Sequence, residues 1–399
     1  MSDPRPPGPA SRPAALAACV AAARLIGADP ELALFGGGNT SVKVAAPGCT
    51  VLWVKGSGTD LAAAGEGDYA PLDLAAVRAL LDVPDLDNRR MRERLRDCAC
   101  AVDAPPPSIE TLLHAMLPHP HVVHTHAAPV LALCNTVDGA AHVAAALGAQ
   151  VLVVPYRHSG ADLAAACRAA WLAAADAAPR GMVLMHHGLV TWGESAADAC
   201  AATRALCARA DAYLDRRGAR RPPASDLADT ALTASGCALV EALRAQAGAI
   251  AGQPLRAAVR SSRFLRAFAA RPDVAGITAE GPATPGHALF TGRMPQVGRD
   301  CAAYAAAYRA YLGPGATGTG APRVILDPDL GVLGLGSDMP SAARAATVFA
   351  HDAVVMARAS ALGGYRGAGD AWLRLAELDY GGASPAAIAS AARLAAAAA

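Results

Sequence analysis

Ser108-Ile109-Glu110-Thr111-Leu112-Leu113-His114-Ala115-Met116-Leu117-Pro118-His119-Pro120-His121-Val122-Val123-His124-Thr125-His126 is the stretch that decides the fold. Pro105-Pro106-Pro107 stops the chain before it, and Ser108 then offers an N-cap to the apolar run 109–117. Two prolines end that run, and residues 122–126 read as a strand. Working outward, strands are expected at 51–54, 151–155 and 181–185. Helices are expected at 14–25, 72–81, 89–96, from Val130 onward, and at 162–175 and 196–214. Strands and helices alternate, so the class is α/β (α+β).

A chain of 399 residues, 53% hydrophobic and 17% charged, can bury a sizeable core, and global disorder is excluded. At roughly 150 residues per domain, two or three domains are expected. A polar, proline-bearing stretch at 216–225 marks a boundary. It separates a first domain, 14–220, from a second module, 226–380, with flexible tails at 1–13 and 381–399. A Gly/Thr linker, 313–320, interrupts the second module. The net charge of +1 leaves no basic surplus for a nucleic-acid partner. No stretch reads as a membrane span. The ten cysteines show no CxxC and no metal-finger spacing, and the first residues lack an apolar signal core. A reducing, cytoplasmic location is the expectation.

Seven of the eleven histidines fall in two clusters: His114, His119, His121, His124 and His126, then His186-His187. In a strand of period two, His124 and His126 share one face and can chelate one divalent ion. His187, after the apolar run 181–185, is a candidate third nitrogen. Three histidines with an open fourth position form a catalytic zinc pattern. HxH pairs are also common on surfaces, and spacing alone does not make these three converge. Glu110 is the nearby carboxylate. A first-turn glutamate commonly just complements the helix dipole. The same dipole and a nearby cation would keep it ionised, the state a general base needs.

Two glycine loops follow apolar segments: Phe35-Gly36-Gly37-Gly38-Asn39-Thr40-Ser41 and Lys55-Gly56-Ser57-Gly58-Thr59. Their backbone amides could wrap a phosphate, although ordinary tight turns have the same composition. Lys43 and Lys55, the two lysines in a chain that otherwise uses arginine, lie in or beside these loops.

Taken in order, Gly-Gly-Gly-Asn39-Thr-Ser, Lys-Gly-Ser57-Gly58, Pro-Ser108-Ile-Glu110, His124-Thr-His126 and His186-His187-Gly188 resemble the class II aldolase/adducin family. Leu-His114-Ala-Met-Leu-Pro, Val-Leu131-Ala-Leu-Cys-Asn135, Gly-Met182-Val-Leu-Met-His-His-Gly and Gly281-Pro-Ala-Thr-Pro-Gly-His287 make it most similar to the rhamnulose-1-phosphate aldolase portion of bifunctional aldolase/short-chain dehydrogenase proteins. The resemblance implies a central β-sheet flanked by helices. It implies Zn2+ or another divalent metal on His124, His126 and His187, with Glu110 as catalytic acid/base. Asn39, Ser57, Gly58 and Ser108 match phosphate-binding positions. Ile109 and Thr59 depart from the pattern, and Lys43 or Lys55 is expected to replace the phosphate donor that Ile109 lacks. The activity implied is cleavage of a ketose 1-phosphate, with L-rhamnulose 1-phosphate the best guess, to dihydroxyacetone phosphate and L-lactaldehyde. The alternatives are another sugar-phosphate lyase, a decarboxylase or an epimerase of the family, or a non-catalytic adducin-like scaffold. The implied partner is a small-molecule sugar phosphate, and the implied assembly is a homo-oligomer, tetramer favoured. Gly331-Val-Leu-Gly-Leu-Gly336 is not GxGxxG, so no nucleotide cofactor is expected.

The second half also reads as a degenerate copy of the first. In that alignment Arg263 stands for Glu110, Gly276 for His124, Thr278 for His126 and Leu330 for His187. A metal-free duplicate is the expectation.

Overall fold

A computed structural model describes residues 12–174, 178–312, 319–380 and 385–397. Of the expected tails and Gly/Thr linker, residues 1–11, 313–318, 381–384 and 398–399 lie outside the described residues, whereas 385–397, expected as a flexible tail, form a helix. The chain divides into two units. The first holds residues 1–134, 138–213 and 378–393, and the second holds 135–137, 214–377 and 394–399.

In the first unit, α1 (Ala14–Gly27) precedes strands β1 (Asn39–Ala46), β2 (Cys49–Lys55) and β3 (Tyr69–Asp73). Helices α2 (Leu74–Ala79), α3 (Asn88–Asp97) and α4 (Thr111–Met116) lead to β4 (His121–Thr125). Then come α5 (Ala128–Cys134), α6 (Gly139–Leu147), β5 (Val151–Val154), α7 (Ala161–Ala173), β6 (Gly181–Leu184), β7 (Gly188–Gly193) and α8 (Ala196–Arg216). The strands form one seven-stranded sheet in the order β3-β2-β1-β4-β7-β6-β5. The β5–β6 pair is parallel and the other pairs are antiparallel. The class is therefore mixed α/β, a central sheet flanked by helices.

β4 is buried along its whole length, which is why it reads as an apolar run with histidines in it. Val122 packs with Leu113 of α4, Leu163 and Cys167 of α7, and Met182, Leu184 and Val190 of the sheet. Each such side chain contributes about 1.5–3 kcal/mol on full burial. On the other face Thr191 of β7 bonds Thr203 and the Ala199 carbonyl of α8. β4 is thus held on both sides and against two neighbouring strands.

Two elements differ from the sequence reading. Residues 72–81, expected as one helix, begin in β3; the helix starts only at Leu74, where the Asp73 carboxylate accepts from the Ala76 amide. Asn39–Ala46, read as the exit of a glycine loop, is a full strand whose first four residues are buried.

The second unit contains α9 (Ala224–Leu227), α10 (Ala234–Ala251), β8 (Arg256–Arg260), α11 (Arg263–Ala269), α12 (Val274–Ala279), α13 (Ala288–Thr291), β9 (Gln296–Val297), α14 (Cys301–Leu312), β10 (Val324–Asp327), β11 (Gly331–Gly336), α15 (Met339–Leu362) and most of α16 (Asp370–Tyr380). A last helix, α17 (Pro385–Ala397), follows. The second sheet has the order β8-β11-β10-β9, with two antiparallel pairings and then one parallel. That is the order and sense of β4-β7-β6-β5.

The register corrects the expected alignment. Gly276 and Thr278 lie in α12, not on a strand, and the Thr278 hydroxyl donates to the Val274 carbonyl inside that helix. The strand holding the place of β4 is β8. With β11 laid on β7, the pairing sets Val259 at the position of His124 and Arg260 at that of Thr125. Ser261 then stands for His126, and Arg263 stands for Ala128 rather than Glu110. Leu330, fully buried, keeps the place of His187. Likeness of residues between 261–278 and 108–126 carries no pairing register, and in an alanine-rich chain helices look alike.

Candidate metal centre and active site

Two strand ends build the site. β4 delivers His124 as its fourth residue, and His126 follows one residue past its end. β6 and β7 are joined by Met185-His186-His187, with Leu184 paired to Gly188. His186 takes the left-handed conformation, φ 56°, which is uncommon outside glycine. The His187 amide donates to the Leu184 carbonyl at 3.1 Å and closes the turn. Because β7 pairs with β4, the three imidazoles meet. Their ring centroids lie 5.1 Å (His124–His126), 4.9 Å (His124–His187) and 5.2 Å (His126–His187) apart. One nitrogen from each falls within 4.8 Å of the others.

The Glu110 carboxylate reaches this triad, with Oε2 at 3.4 Å from His124 Nε2 and Oε1 at 3.1 Å from His187 Nε2. Glu110 is the residue before α4, and its side chain does not cap the helix. Asn39 Nδ2 donates to Oε2 at 2.7 Å and Ser159 Oγ donates to Oε1 at 3.5 Å. Asn39 is in place because it pairs with His124 across β1 and β4. It also donates to Ser108 Oγ at 3.1 Å, and that oxygen accepts the Glu110 amide at 3.2 Å. Burial pushes the Glu110 carboxyl up, but His124, His187 and His126 outweigh it and hold it well below the usual carboxylate range. Burial lowers the His124 imidazole, against the opposing pull of Glu110. Its Nδ1 lies 3.2 Å from the Leu189 carbonyl, which fixes Nδ1 as the donor. The buried Nε2 makes no hydrogen bond.

These observations fit a divalent metal. Three imidazole nitrogens, one ring oriented by a backbone carbonyl, form a donor set suited to zinc-like ions. His124, His126 and His187 would hold it.

The glycine loops meet beside the triad. A Cβ on Gly37 would come within 3.0 Å of His126 Nδ1, and one on Gly36 within 3.8 Å of the Gly58 Cα. Ser57 and Gly58 are exposed at the tip of the second loop, and Gly58 has φ 84°. Asn39 and Ser108 are committed to Glu110 and to each other. Lys55 is buried and donates to the Gly56 carbonyl at 3.0 Å. Burial lowers its ammonium to about 8, against the opposing pull of Asp60, Asp68 and Glu110. Lys43 is not brought to the site. It lies four residues along β1 from Asn39, roughly 13 Å at the usual strand rise. Its ammonium donates to the His119 carbonyl at 2.7 Å and is lowered to about 7 by burial and by Arg78.

Three histidines of the first cluster serve elsewhere. His114 is buried on Ser41 Oγ at 2.7 Å, and burial takes it down to about 3. His119 stacks on Trp192, and His121 is buried at the start of β4. Sequence reasoning missed Ser159, and behind it a buried group: Asp379 accepts from His158 Nε2 at 2.8 Å, from Asn88 Nδ2 at 2.8 Å and from Arg92. Asn88 Nδ2 also donates to the Ser159 carbonyl at 2.8 Å. The polar turn Arg157-His158-Ser159-Gly160 before a helix was the available signal. Asp379, over two hundred residues downstream, gave none.

The seven-stranded sheet and its His/His/His/Glu centre define a class II aldolase-type domain. Residues 17–214 match the class II aldolase and adducin N-terminal domain, and residues 234–373 match the aldolase class II second domain. The chain belongs to the class II aldolase/adducin family. Among curated relatives, the Bacillus subtilis (strain 168) protein YuxG, described as an uncharacterised oxidoreductase, is 35% identical over 199 residues. That match takes in 48% of this chain and 28% of YuxG, so the chain spans well under half of this relative's length. Among solved structures, the N-terminal class II aldolase domain of a conserved Thermoplasma acidophilum protein is 32% identical, with a TM-score of 0.47, over 51% of this chain and 95% of that one. A sugar-phosphate aldolase from Thermotoga maritima is 14% identical, with a TM-score of 0.39, over 52% and 97%. L-fuculose-1-phosphate aldolase from Thermus thermophilus is 19% identical, with a TM-score of 0.34, over 50% and 95%. No described helix is long and apolar enough to cross a membrane.

Proposed function

We propose that this protein is a metal-dependent aldolase that cleaves a ketose 1-phosphate, L-rhamnulose 1-phosphate by its motifs, to dihydroxyacetone phosphate and L-lactaldehyde. The observation that carries the reading is Glu110 set against two of three converging imidazoles while remaining ionised. A divalent ion, zinc by its donor set, would act as a Lewis acid on a substrate oxygen. Cleavage of the C3–C4 bond takes the proton from the C4 hydroxyl and places one on C3. Glu110, ionised at rest, takes up the hydroxyl proton and delivers it to C3, so the two transfers balance. Asn39 and Ser159 hold its two oxygens in a fixed orientation, so little reorganisation accompanies the transfer. Backbone amides of the two glycine loops, Ser57 and the Lys55 ammonium receive the phosphate beside His126. Lys43 has no part in that reading. Asn39 and Ser108 act through Glu110, with Asn39 near enough to the loops to share the phosphate.

The second unit reads as a diverged duplicate of β4 to α8. Its sheet repeats the order and sense of that segment, with Val259, Ser261 and Leu330 in place of the three histidines.

The test is an aldol-direction assay combining dihydroxyacetone phosphate with a panel of aldehydes, with and without chelator. L-Lactaldehyde is expected to give L-rhamnulose 1-phosphate in a chelator-sensitive reaction. Condensation with none of the aldehydes sinks the aldolase reading.

A further inference from the structure

The second unit carries a polar cluster that the first lacks. His287 ends the 3-10 turn Pro285–His287, which Thr284 caps by accepting the His287 amide. This is the histidine of the Gly281–His287 motif, which the aldolase chemistry leaves unused. Facing it on α15 are His351 and Asp352. Where β11 is laid on β7, the matching residues of α8 are Ala208 and Arg209, so the first unit has no counterpart.

Asp352 is fully buried, and the side chains of His287 and His351 are 6% and 8% exposed. His287 Nδ1 lies 2.8 Å from Asp352 Oδ1, and His351 Nδ1 lies 3.7 Å from the same oxygen. The two rings stand edge to face with centroids 6.0 Å apart. One ligand atom from each of the three residues falls within 4.8 Å of the others.

A His287–Asp352 hydrogen bond accounts for only part of this cluster. Both ring nitrogens of His351 and Asp352 Oδ2 are buried with no hydrogen-bond partner. A buried polar group left so is destabilising. One nitrogen from each of His287 and His351 and one oxygen of Asp352 form the N, N, O donor set of a borderline divalent ion, whose charge would also balance Asp352.

We propose that His287, His351 and Asp352 bind a second divalent transition metal of the zinc class, independent of the ion at the aldolase centre. Bound there, it ties the Pro285–His287 turn to α15. The second unit is then metal-bearing at a place of its own, and empty only at the positions that correspond to the first site.

Metal analysis of the full-length protein tests this. The wild type is expected to hold two equivalents per chain after dialysis against metal-free buffer. His126→Ala and His351→Gln are each expected to hold one, and the double variant none. Cobalt loading of His126→Ala should give visible ligand-field bands that vanish with Asp352→Asn. If His126→Ala takes up neither zinc nor cobalt, the second site does not exist, and the cluster is a metal-free hydrogen-bonded pair. That measurement leaves the second cluster intact, so it decides the matter even if His351→Gln fails to fold. A wild type with one equivalent, kept in His126→Ala and lost in His351→Gln, upholds this site and removes the aldolase metal instead.

Discussion

At the scale of the residue, Glu110 and His126 divide the labour and can be separated by substitution. His126→Ala removes one of three nitrogens, so metal at the aldolase centre and activity are expected to disappear together. Metal analysis and an aldolase assay on one preparation check this. Glu110→Gln keeps the shape and the bond to Ser108 while losing the base. Turnover is expected to fall by roughly two to four orders of magnitude with metal retained. A change confined to KM would make Glu110 a binding residue. Lys55 makes a prediction about pH. Its ammonium, lowered to about 8, is charged below that value and loses its proton above it. KM for the phosphorylated substrate is expected to climb as pH rises through 8, while KM for the free sugar stays flat. Lys55→Met should weaken the phosphorylated substrate by roughly ten- to a hundredfold, the worth of a charge-assisted contact of about 1.5–3 kcal/mol, and abolish that pH dependence. Equal losses on the two substrates would show the lysine to be structural.

At the scale of the element, the site depends on how closely β4 and β7 approach. A Cβ on Gly188 would lie 2.2 Å from the Thr125 carbonyl oxygen, a backbone atom that cannot swing away. Gly188→Ala is therefore expected to cost about 1–3 kcal/mol and to loosen the metal, since His187 precedes it and Thr125 lies between His124 and His126. Denaturant unfolding and a metal-competition titration measure the two effects. The contrasting case is Gly276, exposed inside α12 with no atom within 4 Å of its would-be Cβ. Gly276→Ala should stabilise the protein by up to about 1 kcal/mol, the helix-propensity difference. A loss of stability there would argue against the helix.

At the scale of the whole molecule, the chain's far end enters the first unit. Asp379, in the last turn of α16, is buried among His158, Asn88 and Arg92, and Asn88 and His158 border the Ser159 that reaches Glu110. Burial alone would raise its carboxyl, but those three partners bring it down to about 2. A carboxylate depressed on folding contributes stability that is complete above its ordinary value near 4. That stability is lost as pH falls from there toward 2. The wild type should therefore lose stability over that range by a slope that Asp379→Asn lacks. At neutral pH the variant should be less stable by about 1.5–3 kcal/mol, because Asn88 and His158 lose a charged acceptor while the part-exposed Arg92 turns to solvent. Urea unfolding across pH measures both. Assembly is predicted at this scale as well: light scattering should give a closed homo-oligomer, a tetramer by family resemblance. A fully active monomer would refute it.

Much of this was legible in the chain because local patterns specify it. The HxH strand, the His-His-Gly turn, the helix opened after Ser108 and the glycine loops each announce themselves within a few residues, through period, capping and turn chemistry. Together they named the α/β class, the three imidazoles and Glu110. Convergence was not written locally. The β4–β7 pairing brings His187 to His124, and the β1–β4 pairing sets Asn39 on Glu110 and leaves Lys43 in the middle of its strand, beyond the stretch paired to β4. Pairing register is set by which faces are buried against which helices, a property of the assembled sheet. For the same reason the strand that takes β4's place in the order of the second sheet is Arg256–Arg260, although the residue-by-residue likeness pointed to 274–278. Asp379 behind Ser159, and His287 bonded to Asp352, join residues 65 or more positions apart. No periodicity spans such distances. Only packing, which must find a partner for each buried polar group, brings them together.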